Sequence, residues 1–134
     1  MDTALEDQVR RRAGGRCEYC HLPEQLSGLG HVLDHIIARQ HRGQTTPENL
    51  ALACGRCNAS KGPNLAGIDP QTGQLTRLFH PRTDIWHEHF RWGAGTLVGL
   101  TPVGRTTIEV LAINHSYRVA AREVLIATGR WIPD

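Results

Sequence analysis

The sequence predicts an α+β protein: a ββα unit clamped by four cysteines, with a helix before it and an extension of short strands and a helical hairpin after it. Three observations carry this. Two C-x-x-C pairs, Cys17/Cys20 and Cys54/Cys57, stand on either side of residues 21–53 and can close one tetrahedral site. The runs His31–Ile37 and Leu50–Ala53 read as strands, and the residues after Cys54 read as a short helix that Gly62-Pro63 must stop. Helix start and stop signals also sit near both ends of the chain.

Taken in order, Thr3-Ala-Leu-Glu6 has the form of a capping box, and Leu5, Val9 and Ala13 give the helix that follows one apolar stripe. Gly14-Gly15 should end it. Arg10, Arg11 and Arg12, with Arg16 just after, form the densest basic cluster, either a phosphate contact or a solvated face. Leu22–Gly30 and Ala38–Thr46 read as loops, and Thr46-Pro47-Glu48 as a short helical turn with Thr as cap. In the extension, Leu75–Phe79 and Thr96–Leu100 read as strands. Helices are expected from Pro102 to about Ile113 and from Ser116 to about Thr128. Val103, Val110, Leu111, Ala121, Val124 and Leu125 are the expected packing positions of that hairpin on the unit before it.

At 134 residues and 40% hydrophobic composition, a single domain is expected over 1–134, with residues 14–63 as its core and 64–134 as an extension packed on it. No run approaches the roughly eighteen apolar residues of a membrane span, and the N-terminus lacks a signal-peptide pattern, so a cytoplasmic, soluble protein with no membrane partner is expected. Net charge is only +2, and four thiolates on one divalent metal would cancel it. Overall charge therefore says nothing about nucleic acid. Lys61 is the only Lys, and every other basic residue is Arg. Arg suits phosphate, although a GC-rich genome gives the same ratio.

All four ligand positions of the cysteine site are sulfur, so a structural, closed Zn2+ is expected there. Two disulfides would need an oxidising compartment, and a redox motif would need only one pair. The chemistry-bearing residues left between the knuckles are Asp34-His35, Asn49 and Asn58. Neighbours on an ideal strand point to opposite faces, so Asp34 and His35 require a bend or strand end if both serve one pocket.

The series C-x-x-C, DHII, ENLALAC, C-x-x-CN-x-x-K resembles the HNH endonuclease family with its ββα-metal active site, in particular its zinc-knuckle branch and the HNH domain of RNA-guided effectors. The segments GIDPQTGQLTRLFHPR, W-x-x-HF and GLTPVGRTT look like a C-terminal extension found in a group of bacterial HNH proteins. The resemblance implies a DNA phosphodiester hydrolase using one catalytic divalent ion. It makes Asp34 an acidic ligand of that ion, His35 the general base, Asn49 the residue bracing loop and imidazole, and Asn58 the second ligand, where other members carry His. An oxygen-rich pair favours Mg2+ or Mn2+ over Zn2+. Chemistry agrees, since a neutral imidazole can take a proton from water and an Asn carbonyl can hold its other N–H.

Lys61 and Arg39 are further candidates for phosphate contact, by charge and position. His31 reads as a strand-start residue and His41 as a solvated loop residue. His80, His87 and His89 raise a second metal site against packing or DNA contact, because H-x-H on a strand puts two imidazoles on one face. The partner implied is double-stranded DNA, bound by a monomer or a homodimer. The competing reading is a non-catalytic zinc ribbon that binds nucleic acid or protein, which needs the cysteines but not the Asp-His pair.

Overall fold

The computed structural model describes residues 1–134 and divides into two compact units, Met1–Leu65 with His80–Thr83, and Ala66–Phe79 with Asp84–Asp134. Architecture is α+β throughout, in short strands and helices. No helix is long and apolar enough to cross a membrane.

In the first unit, α1 spans Thr3–Ala13, β1 Val32–His35, β2 Leu50–Ala53 and α2 Gly55–Lys61. The cap of α1 is Asp2 rather than Thr3: its Oδ1 accepts from the amides of Ala4 at 2.8 Å and Leu5 at 3.1 Å. A carboxylate at this place also faces the positive end of the helix, which favours it over a hydroxyl. Gly14 closes the helix in the left-handed region, φ 64°. β1 and β2 pair antiparallel with Asp34 opposite Ala51 and His35 opposite Leu50. β2 is buried along its whole length, and Leu50 and Leu52 meet Val9 of α1 in a small core that Leu5, Ala13 and Leu33 flank. Burying one such aliphatic side chain is worth roughly 1.5–3 kcal/mol, so this three-residue core is modest and the cysteine clamp matters to it.

In the second unit, β3 (Ala66–Ile68) and β4 (Leu75–Arg77) form one antiparallel hairpin. β5 (Phe90–Gly93) and β6 (Thr96–Gly99) form another, and a single helical turn, α3 (Trp86–His89), precedes it. α4 (Pro102–Val110) has Thr101 as its cap and lies against β3, β4 and β6. α5 covers Ser116–Ala127. Its inward face differs from the apolar one expected: Ala121 and Val124 are exposed, whereas Arg118 and Arg122 are buried. The reason is hydrogen bonding. Arg118 donates to the Leu111 and Ala112 carbonyls, and Arg122 to those of Gly95 and Ile113, groups that the end of α4 and the β5–β6 turn leave without helical partners.

Candidate metal centre and active site

Cys17, Cys20, Cys54 and Cys57 are all buried, and their sulfurs lie within 4.8 Å of one another. Each pair is set by a knuckle in which the second cysteine's amide donates to the first sulfur, Cys20 N to Cys17 Sγ and Cys57 N to Cys54 Sγ, both at 3.4 Å. Tetrahedral ligands at about 2.3 Å from zinc stand about 3.8 Å apart. Cys20 Sγ and Cys54 Sγ, at 3.7 Å, already have that spacing. Burial and the neighbouring sulfurs hold the Cys17 thiol well above the ordinary range, while hydrogen bonds from the other sulfurs pull Cys54 far below it. A divalent cation removes that conflict, and the donor set fits structural zinc.

β1 ends at His35, and the chain bends at Ile36 and Ile37, so Asp34 points inward and His35 stays half-buried. The strand end expected from the alternation of neighbours is therefore present. Asp34 is 5% exposed. Its Oδ2 accepts from the Tyr19 hydroxyl at 2.8 Å, and Lys61 Nζ reaches its two oxygens at 3.3 and 3.1 Å. Burial nevertheless wins over these partners and raises the carboxyl above its usual range; Lys61 and Tyr19 only offset part of that. Tyr19 itself is pushed well above the ordinary phenol range by burial and by the Asp34 charge, so it stands as a neutral donor.

Lys61 corrects the reading of it as a phosphate contact. It is 2% exposed, and besides Asp34 its ammonium donates to the carbonyls of His35 and Ile36, each at 3.1 Å. Those bonds stitch α2 to the end of β1, and they take up the cation that sequence alone left for DNA. Asn58 lies three residues before Lys61 on α2, on the same side of the helix. Its half-buried amide has no hydrogen bond to the rest of the protein. A carboxylate has about four lone-pair sites, so Asp34 keeps capacity beside its three contacts. Asp34 and Asn58 are the two oxygen donors that the family resemblance assigns to a hard divalent ion.

His35 Nε2 meets Thr45 Oγ1 at 2.9 Å, and Nδ1 has no protein partner. The expected bond from Asn49 to the imidazole is replaced by another arrangement. Asn49 Oδ1 accepts from Ile37 N at 2.9 Å, and its Nδ2 donates to the carbonyls of Ile37 and Gln44 at 3.0 and 2.8 Å. Both amide hydrogens and the oxygen are thus engaged by the backbone of Ile37 and Gln44, and Thr45 on that loop is what holds the ring. Arg39 is exposed on the same loop.

His31 is buried rather than an ordinary strand-start residue; its Nε2 lies 2.8 Å from the Leu22 carbonyl, beside the first knuckle. Arg10 and Arg12 of the basic cluster serve internally, Arg10 on Glu24 and Arg12 on the Pro47 and Leu50 carbonyls. His87 and His89 fall on the α3 turn and not on a strand, which separates their faces: His87 packs edge-on to Trp86 and His89 Nδ1 bonds Thr101 Oγ1 at 2.6 Å. The cluster able to hold a metal is the cysteine one. Sequence reasoning missed Tyr19, Thr45 and the inward role of Lys61. A tyrosine placed between two zinc ligands was the available signal for the first.

Residues 17–64 match the family model described as HNH endonuclease. Over 56 residues the chain is 43% identical to the CRISPR-associated endonuclease Cas9 of Corynebacterium diphtheriae, a stretch that makes up 41% of this chain and 5% of that protein. No solved structure matches the chain.

Proposed function

From the premise that residues 17–64 form an HNH domain, we propose that the protein is a metal-dependent endonuclease that hydrolyses DNA phosphodiester bonds with His35 as general base. One observation carries this reading. The strand end at His35 turns a carboxylate inward and leaves, on the next residue, an imidazole with one nitrogen anchored and the other without a protein partner.

Asp34 and Asn58 would hold one divalent ion, Mg2+ or Mn2+, through a carboxylate and an amide oxygen. When bound, that ion neutralises charge on the phosphate and the departing oxygen. His35 accepts the proton of the attacking water, which only a neutral imidazole can do. Thr45 orients the ring, and Asn49 keeps Thr45 in place through the loop. Lys61 fixes Asp34 and the backbone of His35 relative to α2. Zinc at the four cysteines takes no part in the reaction.

The test is plasmid cleavage in Mg2+ or Mn2+ by wild type, His35→Ala and Asn58→Ala. Loss of cleavage in both variants supports the assignment; equal nicking by all three sinks it. A second reading, the non-catalytic zinc ribbon, draws on the burial of Asp34 against Lys61. It forecasts one tightly held zinc per chain and no further ion, so Mn2+ binding that Asn58→Ala abolishes counts against it.

A further inference from the structure

Residues 38–42 form a small noose standing off the site. Gly43 N donates to Ala38 O at 3.0 Å, and Arg42 N to Arg39 O at 2.9 Å, within the single turn Arg39–His41. At the neck the chain crosses itself so closely that a Cβ on Gly43 would lie 1.6 Å from the Ile37 carbonyl oxygen. Asn49 ties the two sides together by bonding both Ile37 and Gln44. Two residues past the neck, Thr45 bonds the His35 ring. The noose is thus fixed with respect to the imidazole.

What it displays is positive. Arg39, Gln40, His41 and Arg42 are all exposed, and no acidic residue lies between Asp34 and Glu48. Neither Arg39 nor Arg42 has an internal partner, in contrast to Arg10 on Glu24, Arg12 on two carbonyls and Arg82 on Glu18. Arg42 further sits in the left-handed region, φ 69° and ψ 22°, a conformation that Gly or Asn adopts with less strain. A long cation kept at such a position, unpaired and held by a built neck, points to a ligand with negative charge outside the chain.

We propose that this turn grips the phosphodiester backbone of the DNA beside the scissile bond, with Arg39 and Arg42 each contacting a phosphate. The inference deepens the nuclease reading above and rests on it. Two arginines on one turn whose backbone is fixed suit successive backbone phosphates, which carry no sequence information. The contact therefore positions the strand for His35 and does not select a site.

The test uses the zinc-loaded full chain carrying His35→Ala, so that DNA stays intact, and a short fluorescein-labelled duplex titrated at several potassium chloride concentrations. Adding Arg39→Gln or Arg42→Asn is expected to reduce the slope of log affinity against log salt by about 0.9 each. The two together should reduce it by about 1.8, equally on duplexes of unrelated sequence. Asn is chosen at 42 because it accepts the left-handed backbone, and an unchanged melting curve verifies the fold. Parental affinity and slope in the double variant would overturn the inference and leave the nuclease reading standing. An equal loss from Arg11→Gln, an exposed site on α1, would mark a net-charge effect and also overturn it. Absence of any DNA binding by the His35→Ala parent would remove the DNA reading and this one with it.

Discussion

Asp34 in the first unit and Asp69 in the second are both buried and both faced by one long cation, yet their carboxyls shift in opposite directions. Asp69 accepts Arg105 through two bonds, Nε to Oδ1 at 3.0 Å and Nη2 to Oδ2 at 2.9 Å. Gln71 N and Thr72 Oγ1 add two more at 3.1 and 2.9 Å. Arg105 foremost, with those loop donors, holds it well below the usual carboxylate range. Asp34 receives only one hydroxyl and part of an ammonium that it shares with two carbonyls, and burial carries it upward. A carboxylate that is fully satisfied is a fastener. One left with charge to spare can bind something else, and Asp34 lies next to His35.

The sharpest break of this comparison is a pair of isosteric substitutions. Asp34→Asn removes the anionic ligand and is expected to lower cleavage roughly a thousandfold, as several kcal/mol of transition-state stabilisation are lost. Asp69→Asn should leave the cleavage rate unchanged and lower the thermal midpoint instead. Rates and melting curves of both variants check this, and a cleavage defect in Asp69→Asn would erase the contrast.

Next in size is the cation. Lys61→Met leaves the Asp34 charge buried with Tyr19 alone, and removing one partner of a buried pair costs roughly 3–5 kcal/mol. Urea unfolding should show that loss, and Asp34→Asn added to Lys61→Met should recover part of it. If Lys61 instead reached out to DNA, its removal would weaken binding and spare stability.

That second outcome is what the sequence alone suggested, and the miss is instructive. Cys17, Cys20, Cys54 and Cys57 were legible because two residues of spacing is enough to specify a knuckle. Asp34, His35, Asn49 and Asn58 stood out through the resemblance of DHII, ENLALAC and CN-x-x-K to the HNH pattern. The strand β2 and the two C-terminal helices were readable from local caps and apolar runs within a few residues of their ends. Lys61 was not, since nothing local says that the last turn of α2 faces the open carbonyls of His35 and Ile36. The same limit hid Arg118 and Arg122: periodicity counts apolar residues, whereas their burial answers carbonyls supplied by other segments. Asn49 was assigned to the imidazole for want of knowing that Thr45 would take that place.

The opposite shifts also predict opposite pH dependences. Asp69, depressed in the folded state, contributes stability above its unfolded value of about 3.9, and this is lost as pH falls through the folded value. Asp34, raised in the folded state, favours folding most below about 3.9, and that advantage is lost as pH rises through its folded value. Urea midpoints measured across the acid range should therefore fall less steeply toward low pH in Asp69→Asn than in wild type. In Asp34→Asn the stability relative to wild type should rise with pH over the same range. The same sign in both variants would mean that the two carboxylates are alike.

The smallest expected effect tests whether spare capacity extends to His35. Thr45 supplies the ring's one hydrogen bond in the protein, from a loop that Asn49 holds by three contacts. Thr45→Val keeps the shape of the side chain and removes the hydroxyl. Losing one neutral hydrogen bond costs about 1 kcal/mol, so cleavage should fall roughly fivefold with little change in stability. A positioning role further requires that the fall persist at pH values where His35 is fully neutral, because a freed ring remains a base but is no longer aimed. If the defect disappears at high pH, Thr45 acts on the proton affinity of the ring rather than on its orientation. The division of labour between the loop and the strand would then have to be redrawn.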